Sequence, residues 1–314
     1  GQLDLIKSYL EAVYVTRNFV EKEDVSNALT KVSMVASNKV TEVLKEYYAR
    51  FTADEKFVSF IFKLRFVAFT NAVSKFHDEA IDKFLDPLID FYLEHPEKSK
   101  SYVKSIIKSF SDRLVKSLAK LDKDITTWNT IGLVEFVTTY TIKSNTECFV
   151  LPLVTDFTVL LRNISIMARL PFQIRVARCL AVLGDKFNKV VPVLSWAVDA
   201  IGVVCNFKCM GTEKFDWSSD FEVPKVASYE FAEEAIDRLN RIILQQLKAQ
   251  CENIAFPEYV ESARRKLEAV CATGKNARLR LKPKSIIKTI TEQQQALIDI
   301  KRGLKWSTRN EQIA

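Results

Sequence analysis

Three prolines at nearly even intervals constrain this chain most: Leu151-Pro152-Leu153, Leu170-Pro171-Phe172 and Val191-Pro192-Val193. Each is followed by a helical apolar pattern: Val154, Phe157 and Leu161; then Val176, Cys179, Leu180 and Leu183; then Leu194, Trp196, Ala197 and Ile201. Proline loses no backbone hydrogen bond in the first turn of a helix, so steps of 19 and 21 residues predict three successive helix starts. Two such steps make a helical hairpin of about 40 residues, the size of a HEAT or armadillo repeat.

The rest of the chain reads in the same period. Leu3, Ile6, Leu10 and Val13 form one apolar face, Val25 to Leu44 carries a second, and Phe57 to Val73 is a Phe-rich helix expected to be buried on most sides. Asp78 is placed to cap a helix through Ile81, Leu85, Leu88 and Leu93 that stops before Pro96. In the next helix Val103, Ile107, Phe110, Leu114, Leu118 and Leu121 line one face, with Lys100, Lys104, Lys108, Arg113, Lys116 and Lys120 largely off it. Asp124 opens a helix through Trp128, Leu133, Phe136 and Tyr140. Met210 to Pro224 has no helical period and predicts a long surface loop or extended excursion. Helices from Ser228, from Tyr259 to Val270 with Gly274 ending it, and from Pro283 follow.

Only 7 glycines and 8 prolines in 314 residues leave too few turns for a strand-rich fold. The predicted fold is an all-α, HEAT/armadillo-like solenoid. Its predicted parts are an N-terminal helical-repeat part (1–145), the proline-led block (146–209), a loop (210–227) and C-terminal helices carrying a basic segment (228–314).

Several function classes find little support. The most apolar window, Val190 to Cys205, is interrupted by Asp199, so no membrane span is predicted. Six scattered cysteines point to a reducing compartment. His77 and His95 are the only histidines, which leaves triads and histidine-rich metal sites poorly supplied. Cys205-x3-Cys209 has no second pair or histidine nearby and reads as structural. There is no glycine-rich phosphate loop, and Glu233, Glu234 and Asp237 read as a solvated helix face. The expectation is a chain without catalysis, metal, cofactor or small-molecule substrate.

Charge is distributed unevenly. Arg264 to Lys305 holds 12 Lys or Arg against 3 acids, a net of +9, whereas the whole chain is +7. The densest part comprises Lys275, Arg278, Arg280, Lys282 and Lys284, with Lys288, Lys301, Arg302 and Lys305 beyond it. This spacing suits RNA phosphates without base specificity; the alternative is a solvated basic face. Arg175 and Arg178, one turn apart, suit a phosphate or an acidic partner, or pairing with Asp156 or Asp199. Trp306 can stack on a base or anchor the last helix, and Phe256 before Pro257 is expected to plug a groove between helices. Phe57 and Phe60, in the Phe-rich helix, are the candidates for an exposed apolar surface that takes a partner.

The ordered motifs resemble the nucleolar complex protein 2 family. Leu151-Pro-Leu-Val154, Leu170-Pro-Phe-Gln-Ile-Arg175 with Cys179-Leu180, and Val191-Pro-Val-Leu194 are similar to its "YPL", "FPLRFHC.RSL" and "IPLAP" progression. Phe215-Asp216-Trp217 with Val223-Pro224-Lys225 resembles "FDF…LPKKYL", Asn253-Ile-Ala-Phe-Pro-Glu258 resembles "SIAFPEL", and Ile300-Lys-Arg302 to Trp306 resembles "IEEKR…VDF". Phe62 to Val73 is similar to an N-terminal "LRKLVLAFRAAV" element. Gln173-Ile174 departs from the family's Leu-Arg, and Tyr259 stands where Leu is usual.

The resemblance implies an α-helical, non-catalytic protein of the nucleolus and nucleoplasm that serves assembly of the large ribosomal subunit. It implies partnership with nucleolar complex proteins 1 and 3, with precursor ribosomal RNA and with the pre-ribosomal particle. The other reading is a solenoid adaptor outside ribosome assembly, a histone-binding regulator or transport receptor. A pI near 9.0 and the lack of an acidic patch larger than clusters such as Glu233-Glu234 count against it.

Overall fold

The structure, a computed structural model, describes residues 1–19, 23–117, 125–251 and 255–311, without the side chains of 23, 35–38, 117 and 301–311. Leu118, Lys120, Leu121, Asp124 and Ile254 lie outside the described residues, as do the side chains of Lys301, Arg302, Lys305 and Trp306. The fold is all-α and solenoid-like, with no strand among the described residues beyond one bridge between Gly211 and Ser228. Two compact units divide at Asp156/Phe157.

The first unit contains α1 (Gln2–Thr16), α2 (Glu23–Arg50), α3 (Glu55–Phe76), α4 (Asp78–Leu93), α5 (Pro96–Ser117) and α6 (Trp128–Lys143). A 3-10 turn, Glu147–Phe149, then leads into α7 (Val150–Asn163), inside which the division falls. α1 packs on α2, α2 on α3 and α3 on α4, as in a repeat array, while α6 returns to pack on α3 and α4. α3 is the centre: Phe57, Ile61, Phe62, Leu64 and Phe69 are buried, and the helix touches α2, α4, α5 and α6. It is also the one described helix long and apolar enough to cross a membrane, with 61% of its apolar window buried inside the fold. Lys63 and Arg65 break its uncharged run, which is why the sequence criterion passed over it.

Asp78 does not cap α4. His77 takes the N-cap position in the left-handed region (φ 53°), and Asp78 enters the first turn, where a carboxylate favours the helix dipole. The cap of α6 is Thr127, whose hydroxyl accepts from Thr130 N–H at 3.3 Å.

The second unit carries the remainder of α7, then α8 (Ile166–Lys186), α9 (Val193–Val204), α10 (Tyr229–Gln250), α11 (Phe256–Thr273) and α12 (Lys284–Glu311). The three prolines act as the spacing predicts. Pro152 lies in the first turn of α7, and Pro192 is the N-cap of α9. Pro171 follows a break at Arg169 (φ −132°, ψ 28°), so the long run of α8 starts afresh at Leu170. Gln173 is buried there and donates to the carbonyls of Leu161 and Ile164, both at 3.0 Å, which satisfies the open end of α7.

Candidate functional site

α10 is the spine of the second unit, packed on both α8 and α9. Ser228 caps it through Phe231 N–H at 3.0 Å, and Phe231, Ile236, Leu239, Ile243 and Leu247 form its buried face. The irregular segment before it is pinned rather than free. Trp217 stacks on Phe231 with ring centres 5.2 Å apart, Phe215 meets Phe231 edge-on at 4.8 Å, and Phe221 meets Phe172 edge-on at 5.5 Å. Arg175 donates to the Trp217 carbonyl, Arg238 lies 4.5 Å over the Trp217 ring, and Val223 N–H donates to Ala168 O at 3.0 Å. The segment thus clamps α8 to α10. Sequence reading found the loop but not the clamp, for which two aromatics flanking Asp216 were the available signal.

A cleft of about 460 Å³ opens beside this clamp, between Trp217, the acidic side of α10 and the basic link from Lys275 to Pro283. Glu233, Glu234 and Asp237 are not merely solvated. Arg278 forms a two-pronged pair with Glu233, at 2.7 and 3.0 Å, and Lys282 reaches Asp237 at 3.4 Å. Glu234 holds Arg238 at 2.8 Å and Arg241 at 3.4 Å. Arg264, Arg265 and Lys266 are also matched, to Glu261 and Glu268, to Glu261 and to Asp199 respectively. Hydrogen bonds from Arg264, Arg265 and Gln294 hold the Glu261 carboxyl down at about 2.

This pairing sorts the candidate RNA contacts. Arg278 and Lys282 meet acids on α10, and Lys288 meets Glu292 at 3.8 Å one turn on. Lys275, Arg280 and Lys284 have no carboxylate partner among the described residues. Arg280 instead caps the end of α11, its guanidinium donating to Ala272 O at 3.3 Å, and Lys275 and Lys284 are exposed. Arg278 is 64% exposed, and a pair so placed contributes roughly 0–1 kcal/mol, so a phosphate can compete for it.

The other candidates separate differently. Phe57 and Phe60 are 0% and 5% exposed, so the apolar surface expected there is core: both rings face Phe19, and Phe57 also meets Tyr14 and Phe51. Arg175 is held against Trp217, Arg178 is exposed on α8, and Asp199 belongs to Lys266 and Asp156 to Ser111. Phe256 is buried as a plug, and Gln294 donates to the carbonyl of neighbouring Pro257 at 2.8 Å. Tyr259 uses its hydroxyl to reach Val191 O at 3.4 Å, a contact Leu cannot make. Burial pushes the Cys205 thiol up to about 12 and raises Cys209, which keeps both protonated and poorly suited to metal. Among the described residues no group of three His, Cys, Asp or Glu is placed to hold a metal ion.

The model of the Noc2p family matches residues 64–313. The chain belongs to the Noc2p family. Membership implies a general role in ribosome biogenesis. The Noc2p match spans α3 to α12 and so takes in the proline-led helices, the aromatic clamp and the basic link together. No curated protein matches the chain.

Proposed function

We propose that this protein is a non-catalytic scaffold of the nucleolus and nucleoplasm that works in assembly of the large ribosomal subunit. It binds precursor ribosomal RNA through the second unit and associates with nucleolar complex proteins 1 and 3. The observation that carries the RNA part is the separation of charges around α11 and α12. Lys275, Arg280 and Lys284 lack acidic partners among the described residues, while Arg278 and Lys282 sit beside them in partly exposed pairs with Glu233 and Asp237. Ammonium and guanidinium groups without acids nearby are the sequence-independent contacts a folded precursor RNA needs.

Replacing Lys275, Arg280 and Lys284 together by Gln is expected to lower the slope of log affinity against log salt by about 2 for precursor RNA. An unchanged slope would remove this link from the RNA surface. Purification of the tagged protein from its own cells is expected to recover large-subunit precursor RNA and both sibling proteins. Recovery of histones or transport factors without that RNA would refute the assembly role.

A further inference from the structure

The first unit carries a second cationic surface. Several of its lysines are matched to acids: Lys7 to Glu46, Lys45 to Glu94, Lys83 to Glu79, Lys98 to Glu55, and Lys143 to Asp86 and Asp90. Lys100, Lys104 and Lys108 on α5 are exposed, without a carboxylate partner among the described residues, and line one groove together. Their four-residue spacing sets them on one helix face about 6 Å apart along the axis. A stacked strand offers a phosphate about every 3.4 Å, so successive lysines can take alternate phosphates, with their flexible stems absorbing the mismatch.

These lysines border a groove of about 710 Å³ closed on its other side by Cys148, Phe149 and Pro152. Ser101 and Ser111 add hydroxyls to the cationic side. Its apolar part is shallow. Ile107 and Phe149 are buried at its base and Pro152 is exposed, which gives flat contact area rather than deep pockets. An amphipathic helix needs several apolar anchors at helical spacing, and the α5 side of the groove offers Ile107 alone. An anionic backbone with flat faces matches better. Glu97, at the N-terminal end of the groove, is the one acid lining it.

We propose that this face of α5 binds the phosphate backbone of single-stranded RNA, as a contact separate from the link between α11 and α12. The lysines hold successive phosphates, and the ribose and base edges lie against the exposed Cys148 and Pro152 side of the groove. Glu97 limits the track at its N-terminal end.

The test is anisotropy of a labelled polyuridine strand with the full chain over a salt series. Lys100, Lys104 and Lys108 are replaced together by Gln, a good helix former, and helix content is checked by circular dichroism. The expected result is a salt slope lower by about 2, with Glu97→Gln tightening binding instead. An unchanged slope in the α5 variant alone overturns this site and leaves the link between α11 and α12 standing. A change only in the variant of Lys275, Arg280 and Lys284 reads the same way, and no change in either variant overturns both. A polyglutamate peptide that displaces the RNA at equal charge and binds more tightly would assign the groove to an acidic protein and overturn the proposal.

Discussion

His95 shows what a single residue contributes to the first unit. Its ring stacks on Tyr48 at 3.5 Å and meets Phe62 and Phe91 edge-on, and Nε2 has no hydrogen-bond partner among the described residues. Burial lowers its pKa; Glu94 opposes the shift and Lys45 adds to it. The unfolded chain therefore takes up a proton near the ordinary histidine pKa of about 6.5, while the folded protein resists until the pH is lower. Stability is intact above that value and is lost as the pH falls below it toward the folded pKa. Urea midpoints measured downward from neutral pH are expected to drop for the natural protein and much less for His95→Phe, which keeps the stack. Parallel curves would show that other groups cause the loss. Arg65 is a further residue that sequence could not place: it is fully buried in α3, donates to Ser33 at 3.1 Å and Thr41 at 2.7 Å, and lies 4.5 Å over the Phe84 ring. Nothing in the pattern around it distinguishes it from a surface arginine.

Among the elements, the helices were legible because periodicity reports which face is buried, and the proline-led starts because proline acts on its own backbone. Ends were less legible. Gly274 ends α11 as its sequence predicts, but not in the left-handed conformation usual for glycine there: its φ is −55°. Its role is close approach: a Cβ there would lie 2.7 Å from Val270 O and 3.1 Å from the Arg280 Cβ. The link from Lys275 to Pro283 folds back over this point, with Asn276 N–H donating to Cys205 O at 3.0 Å and Leu279 buried beneath it. Gly274→Ala is accordingly expected to cost about 1–3 kcal/mol, as overpacking does, and to speed amide exchange in the link while the core of α10 stays protected. Unchanged melting and exchange would mean that the link gives way freely.

At the scale of the molecule, the sequence revealed how much positive charge the C-terminal region carries but not how much of it is already answered. Arg278 and Glu233 are 45 residues apart, as are Lys282 and Asp237, so no local count brings them together. Folding pairs these cations and leaves Lys275, Arg280 and Lys284 in the second unit, and Lys100, Lys104 and Lys108 in the first, without acids among the described residues. Net charge of +7 is thus a poor guide to the RNA surface; what matters is where pairing fails. If both sets meet phosphate, each releases its own counterions and the effects add, because the two sets share no partner. A variant with all six residues changed to Gln is expected to lower the salt slope on precursor RNA by about 4, the sum of the two triple variants. A slope no lower than that of one triple variant would mean that only one set touches the RNA.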